Sequence, residues 1–482
     1  MNTSISRLFA LSAIGAATLL SACSTLAPDY ERPAAPVAAS WPDVGPSNGT
    51  TAALTGQTTA ADLGWREFFT DARLRQVIEL ALANNRDLRV AALNVERAQA
   101  QYRVQRADLL PTISAGVSQT AQRLPADLNT SGQPTITRQY STTVGVSAYE
   151  VDLFGRVRSL KDAALSQYFA TEHAQRSTQI SLVAQVATAY LTLAADQERL
   201  QLAQQTLQSR QETLRLTQRM HALGVSSALD LRQIQSTVES ARADVASYTS
   251  QVAQDQNALT LLVGTQLNQA LLPRADLQTA LTLTQELPAG VPSEVLLRRP
   301  DVQQAERRLQ SANANIGAAR AAFFPSITLT ASAGVASASL DRLFQGDQGF
   351  WSFVPSINVP IFAGGRNRAN LKIAEVDRDI RLAEYEKTIQ SAFKEIADAL
   401  AQRATIGEQS AAQEALVNAT QDAYRLAQAR YQRGLDDYLT TLDSQRTLYS
   451  AQQGLTAARL SQQLNRITLY KVLGGGVQPG TS

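Results

Sequence analysis

The stretch FFPSITLTASAGV, residues 323–335, decides the fold class of this chain. After Pro325, apolar residues alternate with Ser, Thr and Gly as far as Val335. A second alternating run, residues 351–361, follows a Gly/Ser/Asp-rich loop at Ser337–Gly349. Strict alternation over about 10 residues is typical of a β-strand with one apolar and one polar face. The two runs therefore predict a β-hairpin.

A very long helix follows this hairpin. At Gly364-Gly365-Arg366 the hydrophobic period changes from two to about 3.6 residues, and it stays there to Arg433, where a Gly-Leu-Asp turn begins a further helix. A helix of about 65 residues spans about 100 Å. Two overlapping apolar stripes run along it, one through Ile373 and Ile380 and the other through Ile389. Two adjacent stripes indicate neighbours on both sides, as in a closed ring of helices.

The same unit occurs twice in the chain. The segment around Pro111 matches the segment around Pro325, 214 residues later, and Gly224 matches Gly434, 210 residues later. Each copy predicts a helix, a strand, a loop, a strand, a long helix, a glycine turn and a returning helix. Two large copies in the same order indicate one duplicated architecture.

The sequence predicts six consecutive segments. They are a lipoprotein signal peptide at 1–22, an acylated N-terminal tether at 23–61, a first repeat at 62–270, an inter-repeat segment at 271–300, a second repeat at 301–473 and a C-terminal tail at 474–482.

Within the repeats, the expected elements come in matching pairs. The first repeat has strands at about 112–120 and 141–151, separated by an exposed loop at Ala121–Gln139, and long helices at about 156–223 and 228–263; the second has strands at about 326–336 and 351–361 and long helices at about 366–433 and 438–473.

The N-terminal residues have the features of an exported protein. An apolar run from Leu8 to Leu20 is short for a membrane span and leads into Leu-Ser-Ala-Cys, ending at Cys23. Cys23 is the only cysteine, so no second cysteine exists in the chain for a disulfide. We therefore expect Cys23 to carry a covalent lipid. The Pro-, Ala-, Ser- and Thr-rich segment after it is expected to be an extended tether.

Composition argues against several classes of protein. The net charge is +2 with 18% charged residues, which excludes the basic footprint of a nucleic-acid-binding protein. A mean hydropathy of −0.16 excludes a bundle of many transmembrane helices. His173 and His221 are the only histidines, so a histidine-based metal site or catalytic triad is not expected. Gly474–Gly476 lacks the Lys-Ser/Thr of a phosphate-binding loop. We expect neither an enzyme nor a cofactor apart from the lipid.

Four strands pose a physical problem in a membrane. Each run has the length of a tilted transmembrane β-strand, with an apolar face suited to lipid. Four strands cannot close into a barrel, and open strand edges are not tolerated in hydrocarbon. Three chains related by cyclic symmetry would supply twelve strands, which is enough for an aqueous channel. The alternative, a soluble sandwich, leaves the two long helices and the export signal unexplained.

The chain resembles the TolC family of outer-membrane factors. Within that family it is similar to the OprM-like lipoprotein branch (NodT family), which serves resistance-nodulation-division (RND) efflux systems. The matching motifs span nearly the whole mature chain: Asp62–Phe69, Asn85–Leu88, Leu297–Asp301, Ala319–Pro325 and Tyr431–Gln445. The resemblance implies an α+β membrane protein: a homotrimer with a 12-stranded transmembrane β-barrel, four strands per chain. That barrel would be continuous with a long periplasmic α-helical barrel and an equatorial domain.

The resemblance also implies a function. Such a protein is the outer-membrane channel of a tripartite pump, a passive, periplasmically gated exit duct for small molecules such as antibiotics, solvents or other toxic compounds. Its partners would be a periplasmic adaptor (membrane fusion protein), an inner-membrane RND transporter and outer-membrane lipid. Two other functions fit parts of the pattern. A duct for type I protein secretion uses the same fold, whereas a trimeric coiled-coil adhesin would need heptads that the strands here interrupt.

The resemblance places a periplasmic gate after the second glycine turn. Its residues would be Leu439, Asp443, Arg446 and Tyr431, with Asp230 adding charge nearby. Three Asp443 carboxylates in a narrow pore would repel one another, and Arg446, one helical turn further on, could supply the counter-charge. The alternative is an ordinary exposed ion pair that contributes little. The first repeat has Gln233 and Ser236 at the matching positions.

The resemblance also assigns the two turns to contact with the adaptor. They consist of Gly224, Val225 and Ser226 in the first repeat and of Gly434, Leu435 and Asp436 in the second. The alternative, which is compatible with this assignment, is that the glycines simply end their helices. Asp436 departs from TolC itself, which has an arginine at this position.

Overall fold

The computed structural model describes residues 25–42, 63–130, 132–276 and 293–475. The expected signal peptide and Cys23 lie outside these ranges, as do parts of the expected tether, inter-repeat segment and tail.

The described chain contains the succession helix, strand, strand, long helix and returning helix twice. Two helices, α1 (Trp65–Phe68) and α2 (Ala72–Asn84), precede the first copy, which comprises α3 (Arg86–Ala107), β1 (Ile113–Leu124), β2 (Thr135–Val151), α4 (Arg156–Ala222) and α5 (Ala228–Val263). The second comprises α6 (Pro300–Ala321), β3 (Ser326–Ser337), β4 (Gly349–Asn358), α7 (Arg366–Gln432) and α8 (Tyr438–Val472). Short 3-10 turns occur at Ala126–Leu128, Gln269–Leu271, Ser293–Arg298 and Leu340–Arg342.

The long helices α4, α5, α7 and α8 begin and end within one residue of their expected positions. Local chemistry explains two of these ends. At the start of α5, the Ser227 side chain accepts a hydrogen bond from the amide of Asp230, and the Asp230 carboxylate accepts one from the amide of Ser227, which forms a capping box. At the end of α5, Gly264 adopts a left-handed conformation, with φ of +76°.

The four strands form one antiparallel sheet in the order β1-β2-β3-β4. The sheet confirms the predicted number of strands. On one face, Val117, Val144 and Trp351 alternate along their strands with small polar residues of the other face. Both outer strands, β1 and β4, keep an edge with no strand partner in the described chain.

The expected loop at Ala121–Gln139 was wrong at both ends. The ladder from Ile113 opposite Val146 continues without a break to Leu124 opposite Thr135. Polar residues in this part had indicated a loop, but hydrogen bonds between main chains hold a strand whatever the polarity of its exposed side chains. In the second copy, β4 is shifted to Gly349–Asn358.

The chain divides into two compact units, each formed by three segments. The first comprises Met1–Ala34, Asn94–Thr171 and Gln304–Tyr385, and therefore contains the sheet. Within it the N-terminal segment is extended and lies along α6. Arg32 binds Glu306 through two hydrogen bonds of 2.7 and 3.1 Å, and Asn313 donates to the carbonyl of Pro28 at 2.7 Å.

The second unit comprises Ala35–Leu93, Glu172–Gln303 and Glu386–Ser482. Its core includes Tyr470, which stacks on Phe68 with ring centroids 4.0 Å apart and donates to the carbonyl of Leu63 at 2.7 Å. The α2 face is buried through Leu74 and Ile78, as its spacing predicts.

Among the described residues, one helix, α4, contains a stretch that is long and apolar enough to cross a membrane, with a mean hydropathy of 1.2. Because 61% of that stretch is buried inside the protein, and one such helix is weak evidence, the finding equally fits a core helix.

Candidate functional site

The two glycine turns have the same backbone geometry. Gly224 and Gly434 have φ of +74° and +71°, a left-handed conformation that costs glycine little because it lacks a Cβ. In each turn the amide after the glycine donates to the carbonyl five residues earlier, at 2.9 Å in the first turn and 3.0 Å in the second. The glycines thus end α4 and α7 in the manner of a Schellman motif.

The first turn is fixed by Asp230 and His221. The Asp230 carboxylate accepts from the amide of Ser227 at 3.1 Å and from its hydroxyl at 2.7 Å. These hydrogen bonds lower the pKa of Asp230. His221 Nδ1 lies 2.9 Å from the carbonyl oxygen of Ser226. One carboxylate oxygen of Asp230 therefore accepts the hydrogen bonds that cap the N-terminus of α5.

The second turn is fixed by an ion pair that the sequence analysis missed. Arg430 donates to both carboxylate oxygens of Asp436, at 2.6 and 2.8 Å. This contact lowers the pKa of Asp436. At the matching positions of the first turn stand Met220 and Ser226, which cannot form such a pair. In the single chain, the Asp436 carboxylate is thus paired with Arg430, at the end of the helix that leads into the same turn.

Three of the residues expected at the gate, Leu439, Asp443 and Arg446, lie on the first turns of α8, whereas Tyr431 is on α7 and Asp230 on α5. Asp443 and Arg446 form an ion pair of 3.8 Å, and their side chains are 63% and 64% exposed. Leu439, one turn earlier, is also exposed. The structure thus brings the predicted pair together. Within one chain it is a loose surface contact, and the ring of three carboxylates stays a prediction.

Tyr431 and Asp230 come from different copies, and the charge of Asp230 acts on Tyr431. Burial, and after it the negative charge of Asp230, raise the pKa of Tyr431. The Tyr431 ring packs edge-on against Tyr438 at 5.3 Å between centroids. Both residues therefore belong to the region that the sequence assigned to the gate.

A buried arginine near this region was not predicted. Arg210, on α4, donates from Nη1 to the carbonyl of Thr237 at 2.9 Å and lies over the Tyr449 ring at 5.8 Å. The Tyr449 hydroxyl donates to Asp244 at 3.3 Å. Burial lowers the pKa of Arg210, and the charge of Arg446 acts in the same direction.

The sequence did contain a signal for Arg210. Ala203, Arg210 and Thr217 recur every seven residues, and all three are buried. An arginine on such a stripe is a candidate for an internal contact, because a buried charge needs partners.

Several apolar side chains at the turns are exposed in the single chain. They are Leu223, Val225, Leu229, Leu435 and Leu439. A contiguous apolar patch on a protein surface is typical of a contact with another protein, a membrane or a ligand. Among the described residues, no group of histidine, cysteine and acidic side chains could hold a metal ion.

Comparison with known proteins agrees with this architecture. The model of the family described as "Outer membrane efflux protein" matches residues 77–265 and 291–475. The chain is 53% identical over 464 residues to the toluene efflux pump outer membrane protein TtgC of Pseudomonas putida, covering 95% of this chain and 94% of TtgC. The antibiotic efflux pump outer membrane protein ArpC, also of Pseudomonas putida, has the same identity and coverage.

A solved structure supports the fold independently. The open state of the MtrE outer membrane channel of Neisseria gonorrhoeae superposes with a TM-score of 0.84 at 38% identity. The match covers 95% of this chain and all of that one.

Proposed function

This chain belongs to the outer membrane efflux protein family, and we propose that three copies form the gated exit duct of a tripartite pump. The protein is an outer-membrane efflux channel component and not an enzyme.

The main observation in support of a trimer is that the sheet has two edges without a strand partner in the described chain. Its apolar face has the period and strand length of a membrane barrel. Unpaired main-chain groups at β1 and β4 would be costly in hydrocarbon. Pairing β1 of one chain with β4 of the next removes every edge, and three chains give a closed twelve-stranded barrel.

The long helix α7 supports the same assembly. Of its two apolar stripes, the one through Tyr385, Ile389 and Ile396 is fully buried in the single chain. The other stripe leaves Ile373 and Ile380 exposed by 59% and 48%. Aliphatic residues at this spacing fit a neighbouring helix, which a second copy would supply.

A lipid on Cys23 is supported by the path of the segment that follows it. Arg320, in the last turn of α6, donates to the carbonyl of Leu26 at 3.2 Å. α6 ends five residues before β3 begins at Ser326. Cys23 is three residues from Leu26, a reach of at most about 10 Å. An acyl chain there would therefore start close to the end of the sheet where the helices attach.

The exposed apolar residues at the two turns support docking of an adaptor. We propose that the turns Gly224–Ser226 and Gly434–Asp436 contact the periplasmic adaptor, which links the duct to an RND transporter. Behind the second turn, the Asp443 and Arg446 rings would narrow the closed pore, with Leu439, Tyr431 and Asp230 beside them.

The relatives suggest what is exported. TtgC is named for toluene and ArpC for antibiotics. We propose that this duct likewise passes small organic toxic compounds, with the choice among them made by the inner-membrane pump.

The experiment that tests the duct is the detergent-corrected molar mass of the extracted protein by light scattering. The full chain is 52.0 kDa, so a trimer is expected at about three times that mass, less any removed leader. A folded monomer would contradict the shared barrel and the duct built from it.

A further inference from the structure

The sheet contains almost no charge, and its two basic residues lie together. Among the residues of the four strands, all described, only Arg123, Arg138 and Glu150 are charged. Glu150, at the end of the sheet near the helices, is paired with Arg156. The side chains of Arg123 and Arg138 are exposed, and neither guanidinium group has a hydrogen bond or ion pair to any residue that the structure describes. Two neighbouring unpaired charges on the surface are free to bind an external partner.

The strand register puts these arginines next to each other. Arg138 lies opposite Ala121, and Arg123 lies opposite Ile136. They are therefore diagonal neighbours on adjacent strands, with backbones about 7–8 Å apart. Two guanidinium groups at this separation can reach one phosphate group or two neighbouring ones.

The register also decides which face they occupy. Residues two apart share a face, so Arg123 lies on the face of Val117 and Ala121. That is the apolar face of the sheet, whereas the opposite face carries Ser118 and Ser141, whose hydroxyls are 2.8 Å apart. The arginines thus point toward lipid and not toward the lumen.

The apolar face changes character stepwise along the strands. Val117 and Val144 belong to the apolar band, and further along Gln119 donates to the Tyr140 hydroxyl at 3.3 Å. Arg138 lies two positions nearer the loop than Tyr140, about 7 Å further along the strand. Apolar band, tyrosine, then cation is the order expected across the boundary between hydrocarbon and lipid headgroups.

This end of the sheet is the one away from the helices. α3 leads into β1 at Ile113 and α4 leaves β2 after Val151, while Arg123 and Arg138 flank the connecting loop. Asp127, in that loop, is the nearest carboxylate along the chain and makes no ion pair with the described residues. With the helices in the periplasm, the arginines lie at the outer leaflet.

From this placement we propose that Arg123 and Arg138 form a binding site for the phosphate groups of an outer-leaflet lipid. The inference rests on the proposed duct only for the direction in which the sheet faces. Charge complementarity identifies the occupant: basic clusters at a membrane surface bind anionic headgroups, and guanidinium groups suit phosphate geometry.

The test measures binding of lipid A, a lipid with two phosphates on a disaccharide, to the full-length protein in neutral detergent. Native mass spectrometry would compare the wild type with Arg123→Gln combined with Arg138→Gln. Each basic side chain near an anionic surface contributes about a factor of five, so the variant should bind about twenty-five-fold more weakly. The matched control is Arg232→Gln with Arg242→Gln, two exposed arginines of α5, which should bind as the wild type does.

Two further binding measurements test whether the phosphate groups of the lipid are what the arginines bind. Lipid A without its phosphates should bind the wild type as weakly as intact lipid A binds the variant. Inorganic phosphate at equal concentration should not displace the lipid; if it does, a free anion site replaces the lipid site. Equal binding of lipid A by wild type and variant would overturn the inference.

The duct must be intact in every protein compared. Oligomer mass and single-channel conductance should be the same in the wild type and both variants. With these unchanged, loss of the predicted difference in lipid binding counts against the lipid site alone. A wild-type protein that fails to form channels would instead count against the proposed duct.

Discussion

Asn85 and Arg299 occupy matching positions in the two copies, just before α3 and α6. Each side chain binds the end of the returning helix of its own copy, Asn85 through an amide and Arg299 through a guanidinium group. Asn85 donates to the carbonyl of Leu262, in the last turn of α5, at 2.8 Å. Arg299 donates to the carbonyl of Val472, in the last turn of α8, at 2.9 Å, and also binds Asp301 and Glu395. These residues of the two recognised motifs are therefore structural, because they satisfy carbonyls at helix ends.

Two carboxylates meet between α4 and α5. Asp196 is buried and binds Arg199 at 2.7 Å. Asp255 accepts from Gln251 at 2.9 Å, while its other oxygen is buried and accepts no hydrogen bond from the described residues. Burial, and then the neighbouring Asp196, raise the pKa of Asp255.

This pair predicts a pH dependence of stability. A pKa raised by folding stabilises the protein at low pH, and the stabilisation is lost as the pH rises through the folded-state pKa. Because ionisation of Asp255 opposes folding, the rise in Tm caused by Asp255→Asn should be larger at pH 7, by about 2 °C, than at pH 3.5. Thermal unfolding at both pH values measures this.

The control is Asp422→Asn, which removes an exposed carboxylate from a surface pair with Arg425. Its Tm should change little at pH 7 because exposed pairs contribute little. A lower Tm for Asp255→Asn at pH 7 would show that the ionised carboxylate is stabilising.

At the scale of elements, helix ends were the easiest features to predict. Ser227 with Asp230 at the start of α5, and the glycines Gly224 and Gly434 after α4 and α7, are local signals. Strand ends were harder, because β1 and β2 continue through polar residues that resemble a loop. Pairing between strands is a tertiary property, and the side chains at an exposed sheet end do not determine it.

The end of α5 supplies a prediction for a single glycine. Gly264 has φ of +76°, and a Cβ there would collide with the main chain of Asn84. Gly264→Ala should therefore lower the free energy of unfolding by about 1–3 kcal/mol, because it adds both a collision and a strained conformation. Chemical denaturation of the purified protein measures the change.

Gly407, within α7, is the matched control. It lies inside a helix, and a Cβ there would meet no atom within 4 Å. Gly407→Ala should raise the free energy of unfolding by about 0.5–1 kcal/mol because alanine favours the helix. If both substitutions change stability in the same direction, the assigned role of Gly264 is wrong.

At the scale of the whole molecule, the proposed gate would exist only in the proposed trimer. In one chain Asp443 and Arg446 form a loose, exposed pair. Three-fold symmetry would bring three such pairs around one axis, where like charges repel unless the arginines compensate. The proposed gating role would therefore belong to the trimer and not to any side chain alone.

The corresponding prediction concerns conductance. Asp443→Ala combined with Arg446→Ala should raise single-channel conductance in a planar bilayer by about twofold or more, because it removes bulk and charge from the constriction. The control is Asp422→Ala combined with Arg425→Ala, an exposed pair at the same spacing on α7. Conductance equal to that of the wild type in both double variants would remove Asp443 and Arg446 from the gate.

The sequence by itself determined the duplication, the four strands, the long helices and the family. Each of these depends on a period or a local signal: alternation in residues 323–335, heptads after Arg366 and a glycine at each turn. Local periodicity survives in any tertiary environment that buries the apolar face, so it can be read without the structure.

Only the tertiary structure decided which side chains meet. Arg430 with Asp436, Arg210 over Tyr449, and the neighbouring Arg123 and Arg138 depend on the geometry of a turn, on helix packing and on strand register. A shift of one residue in register would move each arginine of the sheet to its opposite face. Contacts between distant segments follow from packing and pairing, which no local pattern specifies.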